Sequence, residues 1–304
     1  MLRSILLKLS QSPRLARFVV HNATSRRMAR RFVAGETLDD AVAASRALNQ
    51  AGRLVTLDCL GESVSTEAEA RRAAETYTGM FNRIAAEKLN ANVSLKLTQL
   101  GLDIDESLCE GLLAQIVQHA AAQGNFVRID MEASACTART IEICKRIRAK
   151  SDSVGTVLQS YLFRTEQDAR DLIAAHCRIR LVKGAYKEPP SVAYPKKSDV
   201  DANYARLMQL LLPSGIYHAI ATHDERLLDA TKKFAAEKGI RNDQFEFQML
   251  YGIRTDLQER LVREGYRLRV YVPYGSDWFP YFMRRLAERP ANLWFFLSNL
   301  FRRG

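Results

Sequence analysis

Apolar and amphipathic segments alternate along the chain from Arg53 onward. The amphipathic segments, for example 66–89 and 224–239, carry apolar residues at the spacing of a helix. The apolar segments are short and bounded by turn residues, which is typical of strands. Strands that alternate with helices indicate a parallel sheet. We interpret eight apolar runs as strands: 53–60, 92–97, 126–132, 154–161, 178–184, 217–223, 245–250 and 268–275.

Eight parallel strands joined by helices can close into a (β/α)8 barrel, which typically needs about 250 residues. The span 51–304 accommodates such a barrel, and a doubly wound open sheet is the alternative. Residues 1–50 have a helical pattern, with Thr37 placed to cap a helix that ends near Gly52. We therefore predict an α/β fold: a (β/α)8 TIM barrel over 51–304, with an N-terminal helical extension at 1–50 and a C-terminal helix.

Polar residues collect where the predicted strands end. The active sites of this fold are built at the C-terminal ends of the strands, so these residues are candidates for a site. They interrupt runs that would be continuously apolar if they served only the core. Each one alone also has a structural explanation, as an ion pair or a hydrogen-bonded histidine. They are Asp58, Glu62, Lys96, Thr98, Asp130, Glu132, Gln159, Arg180, Lys183, Thr222, His223, Gln248 and Tyr271.

The stretch 268–289 combines the last predicted strand, a Pro/Gly turn and a helix that Ser276 or Asp277 can cap. At about 100° per residue, this helix has an apolar face and a polar face. Two adjacent arginines beside a tyrosine could hold a small carboxylic acid, because a guanidinium grips a carboxylate with paired hydrogen bonds. The plainer interpretation is a solvated face with an i,i+4 ion pair. The apolar face contains Phe279, Phe282, Met283 and Leu286, and the polar face contains Tyr281, Arg284, Arg285 and Glu288.

Composition narrows the classes of partner. The 304 residues are 47% hydrophobic, as in a globular protein, and 45 Lys and Arg against 34 Asp and Glu give a net charge of +11. Such a charge favours acidic ligands, nucleic acid or an anionic membrane surface. The chain has no zinc-finger spacing, no RNA-binding aromatic signature and no long basic run, so we expect no nucleic-acid partner. Acidic ligands or a membrane surface remain.

Several familiar kinds of site are unsupported. The five cysteines are scattered and contain no C-x-x-C pair, which argues against a disulfide framework or a structural zinc site. We expect a cytoplasmic protein without a metal. The chain also lacks G-x-G-x-x-G, the P-loop motif, G-x-S-x-G and H-E-x-x-H. A Rossmann dinucleotide site, a P-loop, a serine hydrolase and a zinc protease therefore have no sequence support.

Several motifs together resemble the proline dehydrogenase family, in the same order and with similar separations. The resemblance spans roughly residues 30–290. It implies a monofunctional oxidoreductase of proline catabolism: a (β/α)8 flavoprotein that binds FAD without a Rossmann domain, oxidises L-proline to Δ1-pyrroline-5-carboxylate and passes the electrons to a quinone. The motifs are SLKLTQLG (94–101), RIDMEAS (128–134), RLVKGAY (180–186), ATHD (221–224), FQMLYGI (247–253) and YVPYG with YFMRRLAER (271–289).

The resemblance also implies roles around the substrate. Arg284 and Arg285 match the pair that binds the proline carboxylate, with Lys96 as a third cation. Asp130 matches the acid next to that lysine, where it more plausibly fixes Lys96 than takes a proton, and Glu62 matches a loop acid that pairs with Arg284 and closes the site. The residues that match those enclosing the substrate ring are Tyr271, Tyr281 and Leu250, and Glu288 completes the polar face of the helix.

For the cofactor, the resemblance implies that Arg180 lies near flavin N5 and that Gln159 contacts the flavin ring. One departure concerns the adenine end, because Lys187 stands where bifunctional relatives usually place a tryptophan against the adenine. The packing of the adenine is therefore open. The remaining residues that resemble the FAD site are Lys183, Gly184, Ala185, Thr222 and His223.

A quinone acceptor dissolved in lipid implies peripheral contact with the inner face of the cell membrane, since no segment is apolar for long enough to span a bilayer. One candidate is the N-terminal region with its arginines. Another is 290–304, whose wide apolar helical face ends in Arg302 and Arg303 and could lie among lipid headgroups. The alternative is that this tail packs over the barrel or an oligomer interface. The N-terminal arginines are Arg14, Arg17, Arg26, Arg27, Arg30 and Arg31.

Two classes of function stay open. The leading one is proline dehydrogenase, and the rival is a barrel that kept the scaffold but changed its chemistry. That rival would be a dehydrogenase for another cyclic or N-alkyl amino acid, or a silent binding module. The oligomeric state also stays open.

Overall fold

Eight parallel strands pair in chain order and close into a barrel, with β1 hydrogen-bonded to both β2 and β8. The computed structural model describes Val19, residues 23–61 and residues 64–288, without the side chains at 23, 24, 287 and 288. The predicted (β/α)8 barrel is confirmed, and the closed order excludes the doubly wound sheet. The strands are β1 (Leu54–Cys59), β2 (Ala91–Leu95), β3 (Val127–Ile129), β4 (Val154–Gln159), β5 (Arg178–Val182), β6 (His218–Ala221), β7 (Phe245–Leu250) and β8 (Leu268–Tyr274).

Helices connect the strands, and two further helices precede β1 within the described part of the chain. Short 3-10 turns at Leu97–Leu100 and Leu212–Ser214 follow β2 and α7. The helices are α1 (Ala23–Ala29), α2 (Leu38–Gln50), α3 (Glu67–Ala86), α4 (Glu106–Ala122), α5 (Ser134–Arg148), α6 (Thr165–Ala174), α7 (Lys197–Leu211), α8 (Glu225–Glu237), α9 (Thr255–Arg263) and α10 (Trp278–Glu288).

Local chemistry fixes where helices begin. Thr37 caps α2 as predicted: its hydroxyl accepts from the Asp40 backbone N–H at 3.2 Å. The Asp40 carboxylate accepts in return from the Thr37 backbone N–H at 3.1 Å. Thr66 and Glu69, three positions apart, form the same capping box at the start of α3. Such reciprocal bonds satisfy backbone donors that the first helical turn leaves open.

Side chains along the strands alternate between two environments, with a period of two residues. Apolar residues such as Val93, Leu95 and Ile129 are fully buried in the core between the sheet and the helices. The alternate positions point into the barrel and are polar. Examples are Ser94 and Arg128, which form hydrogen bonds with residues of other strands across the barrel interior. Branched apolar residues usually fill the interior of this fold, so a polar interior is a departure. A barrel filled with charge must pair that charge internally.

The helix α2 occupies an unexpected place. It precedes β1 in the chain, yet it packs against both β1 and β8, where it covers the seam that closes the barrel. The helix that follows β8, α10, packs instead in a separate apolar cluster. Described members of that cluster from the N-terminal segment include Val19, Ala29, Phe32 and Val33. The N-terminal segment is therefore part of the packed structure around the barrel.

Both hydrogen bonds and aromatic contacts attach α10 to the N-terminal segment. The Trp278 indole N–H donates to Glu36 Oε1 at 3.2 Å. The ring of Phe282 lies 6.2 Å from Phe32 and 5.8 Å from Trp278. Just before α10, the Gly275 N–H donates to a carbonyl of the N-terminal segment at 3.0 Å. These contacts fix the direction in which α10 leaves the barrel.

No helix in the described part of the chain is both long and apolar enough to cross a bilayer. The predicted C-terminal membrane helix at 290–304 lies outside the described residues, as do Arg14 and Arg17. Membrane contact through these segments therefore stays a prediction.

Two glycines should respond oppositely to alanine. A Cβ at Gly155 would lie 2.3 Å from the Arg178 carbonyl oxygen and 2.8 Å from Arg128 Nη1, whereas a Cβ at the helical Gly79 meets nothing within 4 Å. We expect Gly155→Ala to destabilise the fold by about 1–3 kcal/mol through overpacking. We expect Gly79→Ala to stabilise it by up to about 1 kcal/mol. Urea unfolding measures both, and equal stability of Gly155→Ala and the parent would contradict the packing of the barrel floor.

Candidate active site

One carboxylate organises the C-terminal end of the barrel. Asp130, directly after β3, accepts hydrogen bonds through Oδ1 from Arg180 Nη1 at 2.7 Å and from Ser94 Oγ at 3.1 Å. Its Oδ2 accepts from the Tyr271 hydroxyl at 2.7 Å. Arg180 also donates to Ser94 Oγ at 3.1 Å and lies 5.3 Å from the centre of the Tyr271 ring. Residues from β2, β3, β5 and β8 thus form one network.

A second ion pair lies beside this network. Lys96 Nζ is 3.3 Å from Asp58 Oδ1, and the Asp58 side chain is only 1% exposed. Burial lowers the pKa of Lys96, but the charges of Asp58 and Asp130 outweigh burial and raise it above its ordinary value. Lys96 therefore stays a cation throughout the neutral and mildly alkaline range. The hydrogen-bonding partner of Lys96 is Asp58, so the expectation that Asp130 fixes this lysine needs correction.

The loop after β5 brings a tyrosine to the same place. Burial raises the pKa of Tyr186, Glu132 adds to the rise, and the positive charges of Lys96 and Arg284 oppose it. The phenol is therefore within electrostatic range of the barrel mouth and of α10 together. Further along this loop, the Glu188 carboxylate accepts from the Ser134 backbone N–H at 2.7 Å. That bond anchors the loop to the first turn of α5.

The predicted arginine helix is buried on both faces. Arg285 is only 8% exposed and its guanidinium lies 5.1 Å from the centre of the Tyr281 ring, which is itself 6% exposed. Arg284 is half-buried. The interpretation of a solvated polar face is therefore wrong for Tyr281 and Arg285, which are both buried. The side chain of Glu288 lies outside the described residues.

The residues predicted for the cofactor follow β4, β5 and β6. Gln159 Nε2 donates to the Glu132 carbonyl at 3.0 Å. Lys183 Nζ lies 2.6 Å from Asp201 Oδ1 and 2.8 Å from Asp224 Oδ2, so two carboxylates already neutralise it. Gly184, with φ of +119° and Tyr161 directly against its Cα, occupies a position that only glycine tolerates. Ala185, next in the chain, is exposed.

His223 positions a predicted substrate residue. Its Nε2 accepts from the Leu250 backbone N–H at 3.0 Å, which places the proton of a neutral ring on Nδ1. Leu250 ends β7 and is half-buried. Thr222 is buried, and its hydroxyl accepts from the Asp224 backbone N–H at 3.1 Å. The end of β6 thus shapes the end of β7.

These residues fit a flavin dinucleotide. Among the described residues, the buried Arg180 Nε has no hydrogen-bond acceptor, so a donor inside the barrel is left for a bound group. Amide, hydroxyl, imidazole and guanidinium groups from three consecutive strand ends supply the mixture of donors that an anionic dinucleotide requires. Within the part of the chain that is described, no group of three His, Cys, Asp or Glu side chains could hold a metal ion.

Four of the predicted site residues converge. Lys96, Asp130, Arg180 and Tyr271 lie at one end of the barrel, in contact or in electrostatic range of one another. Glu62 and its predicted pairing with Arg284 lie outside the described residues. The sequence reasoning missed the site roles of Ser94 and Tyr186 and of Asp58 as the partner of Lys96. A signal existed for all three, since Asp58 was already a candidate at a strand end, and Ser94 and Tyr186 lie inside the motifs 94–101 and 180–186.

Comparison with known proteins agrees with this geometry. Residues 41–297 match the family model described as "Proline dehydrogenase". The chain is 47% identical over 298 residues to "Proline dehydrogenase 2" of Bacillus subtilis, covering 98% of both chains. It is 44% identical to "Proline dehydrogenase" of Deinococcus radiodurans over 278 residues, covering 90% of both.

A solved structure shares the architecture. The crystal structure of proline utilization A from Bdellovibrio bacteriovorus inactivated by N-propargylglycine superposes with a TM-score of 0.82 at 28% identity. The match covers 87% of this chain and 33% of that one, so the chain spans about a third of that protein. With a family model over most of its length and relatives of similar size, the chain belongs to the proline dehydrogenase family.

Proposed function

We propose that the chain oxidises L-proline to Δ1-pyrroline-5-carboxylate, with FAD as hydride acceptor and a quinone as the final electron acceptor. The observation that carries the proposal is the set of cations and aromatic rings around Asp130 at the C-terminal end of the barrel. Membership of the proline dehydrogenase family supports the same substrate. A small amino acid with a carboxylate and an apolar ring matches both halves of such a site.

The substrate carboxylate is bound by Arg284 and Arg285, with Lys96 as a third cation. Burial of Arg285 against Tyr281 holds its guanidinium in one orientation, so little side-chain entropy is lost on binding. The raised pKa of Lys96 keeps its charge in place under alkaline conditions. Tyr271, Tyr281 and Leu250 enclose the apolar ring.

Proton transfer needs no protein base. The substrate is oxidised as the neutral amine, so its own deprotonation sets the requirement for alkaline pH. Asp130 holds two charged or polar donors through Oδ1 and a third through Oδ2, which leaves it a positioning role for Arg180 and Tyr271.

When bound, FAD supplies the hydride acceptor, and the residues of the chain orient and tune it. Arg180, Gln159, Gly184, Ala185, Thr222 and His223 would hold it, with Lys183 contributing through its ion-paired cluster. The positive charge of Arg180 inside the barrel favours negative charge that develops nearby. Arg180 is 5% exposed, so water screens that charge little.

Quinone reduction requires approach to the lipid phase. We propose peripheral contact with an anionic membrane, supported by the net charge of +11 and by the arginines at 26, 27, 30 and 31 near α1. The described end of α1 packs next to α10, so a surface around α1 lies on the same side as the arginine helix.

The proposed function has a direct test. Purified protein should be yellow, with a flavin absorption spectrum that bleaches when proline is added without oxygen. Bleaching requires both a bound flavin and a substrate whose hydride it accepts. A colourless protein that takes up no FAD, or a yellow protein that only N-alkyl amino acids bleach, would contradict the proposal.

Removing one guanidinium tests the carboxylate site. We expect Arg285→Met to lower kcat/KM for proline, mostly through a higher KM. The loss corresponds to about 2–3 kcal/mol of transition-state stabilisation, because a charged hydrogen bond is lost in a dry site. Arg285→Lys keeps the charge but not the forked pair of donors, so its kcat/KM should lie between those of the parent and of Arg285→Met. Steady-state kinetics at saturating acceptor measure the effect. An unchanged KM in Arg285→Met, with the parent's thermal stability, would rule out this carboxylate contact.

The pKa of Lys96 gives a pH-dependent prediction. Asp58→Asn removes one of the carboxylates whose negative charge opposes the effect of burial on Lys96. The pKa of Lys96 should therefore fall, and Lys96 should lose its charge at a lower pH than in the parent. We expect the KM of the variant, relative to the parent, to rise as the pH goes from about 7 to about 10. Asp152→Asn, which removes an exposed carboxylate at the other end of the barrel, is the control. A constant ratio of KM values across that pH range would contradict the role of Asp58.

A further inference from the structure

A cavity lies at the opposite end of the barrel from the candidate active site. Its volume is about 420 Å³, which is in the range of small-ligand sites. The residues that line it include the starts of five strands, so it opens at the N-terminal mouth, where the proposed reaction has no use for it. Those that carry the argument are Lys88, Phe126, Arg128, Arg178, Tyr217 and Arg269.

The lining of this cavity has unbalanced charge. Glu246 is the one carboxylate in the lining, against four cations: Lys88, Arg128, Arg178 and Arg269. Glu246 is already paired with Arg269, whose Nε lies 2.8 Å from its Oε1. The other three cations form no ion pair with any residue that the structure describes.

Arg128 is the most demanding of these groups, because its side chain is inside the barrel and only 3% exposed. Its Nη1 donates to the carbonyl oxygens of Thr156 at 3.0 Å and Arg178 at 2.6 Å. Its buried Nε has no acceptor among the described residues. A buried charge with an open donor is costly unless a counter-charge meets it.

Burial is the main cause of the pKa shifts of two groups here, and a neighbouring arginine adds to each shift. Burial, followed by the charge of Arg180, lowers the pKa of Arg128 to about 9. Burial and then Arg128 lower the pKa of His218 to about 3, so this histidine adds no charge of its own. His218 is held neutral by its contacts: Nδ1 accepts from the Ile179 N–H at 3.0 Å and Nε2 lies 3.0 Å from Ser214 Oγ.

Aromatic rings hold the cations in fixed positions. The guanidinium carbons of Arg128 and Arg178 lie 4.8 and 5.2 Å from the centre of the Phe126 ring. Arg178 also lies 5.7 Å from the centre of the Tyr217 ring. Two guanidinium groups on one ring repel each other, yet both line the cavity, and guanidinium N–H groups suit the oxygens of a tetrahedral anion.

We propose that this cavity binds a phosphate group, either as free phosphate or as part of a small phosphate ester. Three unpaired cations match the charge of a dianion better than that of a monocarboxylate such as proline. The anion would accept from Arg178 at the rim and offset the buried charge of Arg128. Binding to the native state alone would also stabilise the fold.

Calorimetric titration of the full-length, flavin-loaded protein with inorganic phosphate at low salt tests the proposal. We expect saturable one-site binding, and a rise in melting temperature with phosphate concentration. Arg178→Gln should weaken binding about tenfold or more, because a charged hydrogen bond is lost at the rim. Arg72→Gln, which removes an exposed arginine on α3, should bind as the parent does. Arg178 is chosen because it is exposed, whereas replacing Arg128 risks the fold.

Two further arms separate the sources and sites of binding. Glycerol 3-phosphate binding more tightly than phosphate would assign the site to an ester, and the reverse order would assign it to the free ion. Saturating proline should leave phosphate affinity unchanged, since the cavity is at the far end of the barrel. Absence of binding, equal affinity in Arg178→Gln and the parent, or displacement of phosphate by proline would overturn the proposal.

Discussion

The structure depends on the pairing of charge inside a closed barrel. The interior of β2, β3, β5 and β8 is polar, and such an interior is stable only when each buried group meets a partner. Asp130 meets this condition at the C-terminal end, where it accepts from Arg180, Ser94 and Tyr271. Because those partners come from separate strands, the same carboxylate that stabilises the barrel also arranges the side chains of the candidate active site.

The two ends of the barrel use the same residue types with opposite results. At the C-terminal end, Asp58 and Asp130 oppose burial and keep Lys96 charged. At the N-terminal end, Glu246 pairs with Arg269, and Arg128 is left with carbonyl acceptors alone. The cations of the first end therefore have carboxylate partners in Asp58 and Asp130, and the second end has an excess of positive charge.

Placement of the last helix is a separate constraint. The helix α2 covers the seam between β1 and β8. The helix that follows β8, α10, therefore does not need to cover this seam. It packs instead with Phe32 and other residues of the N-terminal segment, while Arg285 stacks on Tyr281 within the helix. The described part of the extension and the arginine helix therefore stabilise each other by packing.

The sequence by itself determined the eight strands, the helix start at Thr37 and the polar strand ends, because periodicity and capping are local properties. The family motifs added the roles. Only the tertiary structure decided that Asp58 rather than Asp130 bonds to Lys96, and that the arginine face of α10 is buried. The physical reason is that contacts across a barrel follow from strand tilt and closure, and the burial of a helix face follows from what packs against it. Neither is encoded in the spacing of residues along one segment.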